Sequence, residues 1–232
     1  MVKKTLNIGA EVPVEESQLL DECKQIIDLT GNCIATTKLF EDLDEDAYVV
    51  IYIVQACWGF LRSIFIEWLD GGFHSAYILA RAMTEYYIEV CFILKEDTKD
   101  RAKEYYEAWR TPGRKPYTRV TKFKEFTRIE ARAKSVGLRR LYEGSYKSLC
   151  SFSHVDLRGS LIARRLPKFT DDRRLFLIAM MQLYLELLHT VSKKLNITYP
   201  EPMQELIQTK LARFEQLLPK ENQVLPNLYR ED

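Results

Sequence analysis

Helical periodicity runs through almost the whole sequence, and it constrains the fold more than any other feature. Apolar residues recur at helical spacing from about residue 15 onward, and the nine glycines and eight prolines fall mainly between the periodic segments. No segment alternates apolar and polar residues convincingly enough to indicate a strand. The pattern therefore predicts an all-α, single-domain helical bundle of about seven or eight helices over residues 15–219.

Glycine, proline and charged residues predict where the helices begin and end. The turn signals are Asp70-Gly71-Gly72, Thr111-Pro112-Gly113 and Pro219. An N-terminal extension over residues 1–14 and a C-terminal tail over residues 220–232 are expected to flank the bundle. The predicted helical segments are 15–40, 47–68, 73–94, 98–109, 119–135, 138–161, 171–195 and 203–218.

The third predicted helix carries charge inside an apolar segment. Residues 76–94 are apolar almost all the way round, which is typical of a helix buried on several sides. Arg81 and Glu85 interrupt this pattern and share one face because they are four residues apart, with Glu89 one turn further along. A buried arginine keeps its charge and needs partners for its donors. We therefore expect a polar network that another helix completes.

Residues 142–154 are the segment that we expect to complete this polar network. They contain Tyr146, Ser151 and His154, whose spacing places the last two on one side of a helix. A histidine titrates near neutral pH and suits general acid or base catalysis. A buried histidine bonded to a hydroxyl or carboxylate is the more common structural alternative. The candidate catalytic residues are Arg81, Glu85, Tyr146, Ser151 and His154.

These residues resemble a known family. Arg81-Ala-Met-Thr-Glu85, followed later by Tyr146 and Ser151-Phe-Ser-His154, is similar to a bacterial all-helical family of unknown function. The resemblance covers roughly residues 45–195. It implies a helical fold in which the two polar pieces meet, and it implies no activity.

A more distant resemblance is to helical nuclease domains of the HEPN type, which occur in toxin and antiviral defence systems. It implies metal-independent RNA cleavage by a histidine that an arginine shortly precedes. The nearest arginine upstream of His154 is Arg140, which is too far away to share its helix face. Under this resemblance, Arg81 or Arg158 would take the place of that arginine in space.

Charge is divided along the chain although the formal net charge is +1. Residues 11–46 carry eleven acidic side chains and two lysines, whereas residues 110–140 carry eleven basic side chains and two glutamates. Either the two segments cover solvated faces or they dock on each other. Alternatively, the basic segment attracts RNA or another anionic partner. The candidate nucleic-acid-binding residues are Arg114, Lys115, Arg119, Lys122, Lys124, Arg128 and Arg132.

Aromatic residues are interleaved with these cations. Tyr117, Phe123 and Phe126 are predicted to be core contacts more than platforms for stacked bases. Opposite charges on the two segments also allow pairing between copies in a homo-oligomer.

Cysteine spacing and the N-terminal residues predict the cellular compartment of the protein. The five cysteines lack CxxC spacing and a companion histidine pair, so we expect reduced core residues and neither a metal nor another cofactor. The N-terminus lacks the apolar run of a secretory signal, which predicts a cytoplasmic location. Gln55, Arg62 and Glu67 interrupt the apolar segment 47–69, which favours a core helix over a membrane span.

Three functional hypotheses follow. The first is a non-catalytic interaction or regulatory module in which Arg81, Glu85 and His154 fix the helix register. The second is a metal-independent ribonuclease of a defence or toxin system, with His154 moving a proton and Arg81 stabilising phosphate charge. The third is a small-ligand binder with its pocket between the second helix, the third helix and the His154 segment.

Overall fold

The computed structural model describes residues 14–35, 44–153 and 171–218. All regular structure within these residues is helical, which confirms the predicted all-α class. A 3₁₀ helix covers Thr121–Thr127, and one π-helical turn covers Tyr142–Tyr146. The α-helices are α1 (Val14–Ala35), α2 (Glu45–Asp70), α3 (Phe73–Ile93), α4 (Thr98–Arg110), α5 (Ile129–Ser135), α6 (Arg139–Leu141), α7 (Lys147–Ser153), α8 (Asp171–Leu195) and α9 (Glu201–Leu217).

Helix α3 lies at the centre of the bundle. It packs most extensively against α2, and it also contacts α4, α5, α7 and α8. Thirteen of its 21 residues are buried, so the prediction of a helix covered on several sides is confirmed. Its charged side chains contact α5 and the π-helical turn, through Glu89 and Glu85.

Two of the predicted breaks lie where the turn residues placed them. Helix α2 ends at Gly71, whose φ of 79° is left-handed and suits glycine. The amides of Gly71 and Gly72 donate to the carbonyls of Trp68 and Glu67, at 3.2 and 2.7 Å. Helix α4 ends directly before the predicted Thr111-Pro112-Gly113 turn, in which Gly113 has a φ of 76°. These ends follow from local backbone chemistry.

The continuous helix predicted over residues 119–135 is wrong. A 3₁₀ helix and α5 occupy this stretch, and between them Arg128 has extended backbone, with φ −96° and ψ 138°. The break lets the aromatic residues of the segment reach a separate core instead of following one helical face. The segment predicted over 138–161 is likewise divided, into α6, the π-helical turn and α7, as far as Ser153, beyond which it lies outside the described residues.

That separate core is small and aromatic. Phe92 of α3 packs with Tyr117 and Phe123, and Phe126 lies partly buried against them. The ring centroids of Phe92 and Tyr117 are 5.0 Å apart, in an edge-to-face arrangement that favours aromatic pairs. The prediction that these aromatic residues are core contacts is therefore confirmed.

Two helical stretches, Ala47–Asp70 and Arg173–Leu195, are long and apolar enough to cross a membrane, judged by length and composition. Half of the first apolar window and 67% of the second are buried in the protein. Core helices of soluble proteins pass the same test, so the finding is weak evidence for a membrane span. That the first stretch is a core helix and does not span a membrane therefore stays a prediction.

Candidate functional site

Tyr146 joins the two polar pieces that the sequence predicts to meet. Its hydroxyl donates a hydrogen bond to Glu85 Oε2 at 3.1 Å. The guanidinium carbon of Arg81 lies 5.6 Å from the centroid of the Tyr146 ring. Tyr146 is only 6% exposed, whereas Arg81 and Glu85 are half-buried, so this contact is partly shielded from water. We call Arg81, Glu85 and Tyr146 the polar network.

Burial and hydrogen bonding set the charge states in the polar network. Burial, as the largest cause, raises the pKa of Tyr146 to about 12, although Arg81 opposes the rise. The pKa of the Arg81 guanidinium is also raised, first because of its hydrogen bond to Tyr146. At neutral pH the phenol is therefore a neutral donor beside a fixed cation. Such a phenol orients a carboxylate, but it is not a base.

A single π-helical turn delivers Tyr146 to α3. The turn ends at Tyr146, and α7 continues from it along α3. Tyr142, at the start of the turn, stacks on Tyr146 with ring centroids 5.3 Å apart and planes 21° apart. Turns of this type are rare and often occur at functional sites. The sequence carries no signal for this turn beyond Gly144 within it.

The structure describes less of the other two candidate catalytic residues. Ser151 belongs to α7, which packs on α3, while the orientation of its side chain lies beyond what the structure describes. His154 lies outside the described residues. Its proposed meeting with Arg81 and Glu85 stays a prediction.

Four of the seven candidate nucleic-acid-binding residues form ion pairs within the protein, and three of them, Arg114, Lys122 and Arg132, do so at 3.2 Å or less. Arg114 contacts Glu104 at 2.9 Å and Glu107 at 3.0 Å. Lys122, which is exposed, contacts Asp100 at 2.8 Å and Asp97 at 3.2 Å. These four carboxylates lie on α4 or directly before it. Arg132 is the third cation, and its partner is on α3.

Arg132 and Glu89 form the most deeply buried of these pairs. Arg132 Nε lies 3.0 Å from Glu89 Oε2, and the two side chains are 5% and 2% exposed. The Tyr117 hydroxyl donates to the other oxygen of the same carboxylate. Arg132 also donates to the carbonyl of Phe126 at 2.8 Å. Burial raises the pKa of Glu89, and the charge of Arg132 opposes the rise. This arrangement ties the basic segment to α3.

The remaining candidates, Lys115, Arg119, Lys124 and Arg128, are exposed. Arg119 lies 3.7 Å from Glu107, whereas the other three have no ion-pair partner among the described residues. The acidic N-terminal segment contributes a different contact, because Glu22 of α1 pairs with Arg213 and Lys210 of α9, at 2.9 and 3.7 Å. In the described part of the chain, the basic segment thus pairs with α3, α4 and the residues before α4 rather than with α1.

An aromatic groove lies between α2, α3 and α4, where the sequence did not lead us to expect one. Its volume is about 460 Å³. Beside three aliphatic side chains of α2, it is lined by Tyr52, Tyr86, Tyr105, Tyr106 and Trp109. The expected pocket instead involved the His154 segment. The available signal was the cluster of three aromatic residues on α4, which looks unremarkable in a helix that is otherwise highly charged.

Thiol and metal chemistry have little basis in the described residues. All five cysteines are present as thiols, and burial raises the pKa of Cys23, Cys57 and Cys91 well above the ordinary value. Buried neutral thiols are poor nucleophiles. Within the described ranges, no three histidine, cysteine or acidic residues are grouped as metal ligands would be.

Comparison with known proteins yields a likeness to one family over part of the chain. No curated protein and no solved structure matches the chain. Residues 47–115 match the model of DUF5677, described as a family of unknown function. The match includes Arg81 and Glu85 and ends before Tyr146. The predicted resemblance to an uncharacterised helical family is confirmed, whereas the HEPN likeness stays a prediction. From α2 to just beyond α4, this chain is similar to a family of unknown function.

Proposed function

We propose that the protein is a non-catalytic interaction or regulatory module, in which the polar network holds α3 in register with the π-helical turn and α7. The observation that carries the proposal is the hydrogen bond from Tyr146 to Glu85, which joins residues 61 positions apart. The hydroxyl and the carboxylate satisfy each other, and the arginine lies against the ring. A partly buried network of this kind favours one packing of the helices.

The proton chemistry of the described members supports a structural role. A phenol whose pKa is raised to about 12 stays protonated at neutral pH and cannot accept a proton from a substrate. Because Tyr146 is buried, a substrate would also have to displace packed side chains to reach it. His154 is the predicted fourth member, and it would contribute a further hydrogen bond that fixes the same helices.

The test replaces one hydrogen-bonding group at a time. Tyr146→Phe leaves the Glu85 carboxylate without its donor, and we expect the free energy of unfolding to fall by about 1.5–3 kcal/mol, the range for hydrogen bonds to charged groups. The control is Tyr48→Phe, because Tyr48 is exposed. Urea unfolding followed by circular dichroism measures both changes. Equal effects of the two variants would refute the structural role.

A metal-independent ribonuclease of the HEPN type is the second candidate. It is favoured by the exposed cations Lys115, Lys124 and Arg128, which are available to phosphate groups. Incubation of the purified protein with single-stranded RNA separates the two proposals. Cleavage that His154→Ala abolishes, at an unchanged melting temperature, would replace the first proposal by the second. No cleavage, together with a lower melting temperature in the variant, is the result expected of a structural network.

A further inference from the structure

The aromatic groove has one flat wall of stacked rings. Tyr106 and Trp109 are three residues apart on α4, and their ring centroids are 6.0 Å apart with planes 27° apart. Trp109 is 75% exposed, and Tyr52 on the α2 side of the groove is 65% exposed. When a ligand covers large apolar side chains that lie in water, the free energy of the system falls. The exposed Trp109 ring is therefore a ready stacking surface, while the guanidinium carbon of Arg110 lies 5.6 Å from the centroid of the Tyr106 ring.

The charge of the groove argues for an uncharged ligand. Among the residues that the structure describes, its lining contains no Asp, Glu, Lys, Arg or His, so a buried ligand charge would lose its hydration without gaining a counterion from them. Glu85 and Glu89 of α3 do not line the groove, but their charges act on two tyrosines that do. After desolvation, which is the larger cause, their negative charges help to raise the pKa of Tyr86 and Tyr105. An anion in the groove would meet the same repulsion.

The floor adds hydrogen-bonding groups to the apolar walls. Tyr86 and Tyr105 both line the groove, and neither phenol has a hydrogen-bond partner among the residues that the structure describes. A phenol both donates and accepts a hydrogen bond. Small-molecule sites commonly combine a mainly apolar lining with a few convergent polar groups, in volumes of about 300–1,000 Å³. The groove fits that description.

We propose that the aromatic groove binds an uncharged planar heteroaromatic molecule of about the size of a nucleoside. Its ring stacks on the wall formed by Tyr106 and Trp109, and its polar edge meets the hydroxyls of Tyr86 and Tyr105. The site goes beyond the proposed function and stands without it, because Arg81, Glu85 and Tyr146 do not line the groove.

Adenosine and riboflavin are suitable probes, because both are uncharged and carry a planar heteroaromatic ring. Isothermal titration calorimetry with the full chain measures their affinities. Trp109→Ala removes half of the stacking wall, and we expect at least one probe to bind roughly 5- to 100-fold more weakly to this variant. The control is Tyr48→Ala, which removes an exposed aromatic residue of α2 outside the groove and should leave the affinity unchanged.

Trp109 also reports binding directly, because Trp68 is buried and Trp58 is partly buried. A bound ring should quench the emission of wild-type Trp109. Trp109→Ala should keep the urea midpoint of the wild type, since the Trp109 side chain is 75% exposed. This comparison separates loss of binding from loss of folding.

Several results would overturn the proposal. One is the absence of saturable binding of both probes at concentrations up to about 1 mM. Another is equal weakening by Trp109→Ala and Tyr48→Ala. Tighter binding of adenosine monophosphate than of adenosine would indicate an anion site instead. Binding of benzyltrimethylammonium without binding of either neutral probe would indicate a cation cage.

Discussion

Replacing Arg132 by methionine tests whether the basic segment is held to α3 by a buried charge pair. The substitution keeps an unbranched apolar stem but leaves Glu89, which is 2% exposed, without its cation. Removing one partner of a buried ion pair costs about 3–5 kcal/mol. The donor to the Phe126 carbonyl is removed as well. We expect a loss of stability in this range at pH 7, which lowers the urea midpoint by about 1–2 M.

The pH dependence of this loss identifies its cause. Burial already raises the pKa of Glu89 above its ordinary value of 4.5 in the folded protein, and removing Arg132 raises it further. The folded variant therefore holds a proton that the unfolded chain releases, so its stability falls as pH rises above 4.5. The deficit relative to wild type should shrink when the measurement is repeated at about pH 5.

The matched control is Arg128→Met, because Arg128 is exposed and lies in the same segment. We expect the control to change stability by no more than about 0.5 kcal/mol. Equal losses of stability in the two variants, or a deficit for Arg132→Met that does not vary between about pH 5 and pH 7, would refute the reasoning. Pairing Arg132→Met with Glu89→Gln should recover part of the stability, because no buried charge is then left without a partner.

Two further predictions concern charge elsewhere in the fold. Burial raises the pKa of Glu186 to about 7, so the folded state favours its protonated form and loses stability as pH rises from 4.5 to 7. Glu186→Gln should therefore increase the free energy of unfolding at about pH 8 by about 1–3 kcal/mol and leave it unchanged near pH 4, as measured by urea titration. If the basic segment binds RNA, changing Lys115, Arg119, Lys124 and Arg128 to alanine should flatten the salt dependence of the affinity, by about 0.7 in slope for each phosphate that is no longer neutralised. RNA affinity that ignores salt in the wild type, measured by fluorescence anisotropy, would remove the segment as a nucleic-acid surface.

The sequence predicted the helices because their signals are local. Apolar spacing marks the buried α3, and glycine and proline mark the ends of α2 and α4 through the backbone angles that they permit or forbid. The same local reading failed over residues 119–135. Helical spacing was present there, but the segment forms a 3₁₀ helix and α5 separated at Arg128, and Phe123 and Phe126 join the core around Phe92. Tertiary packing overrode the local preference at that point.

The sequence predicted which residues belong to the candidate site better than it predicted which of them touch. Arg81 and Glu85 were identifiable because charge in an apolar helix requires a partner. Their meeting with Tyr146, 61 positions after Glu85, depends on the π-helical turn that aims the tyrosine at α3. Arg132 was predicted to bind phosphate, yet it faces Glu89 in the interior. Composition cannot distinguish these two environments of an arginine.

By itself, the sequence determined that this chain is helical, that α3 is covered on several sides, and that the charges of Arg81 and Glu85 need a partner from another helix. Only the tertiary structure decided which helix faces meet, and with them the partner of each buried charge and the groove between Tyr52 and Trp109. The physical reason is the distance along the chain over which each signal acts. Helical periodicity fixes which residues share a face within one segment, whereas packing fixes which faces come together and which remain in water.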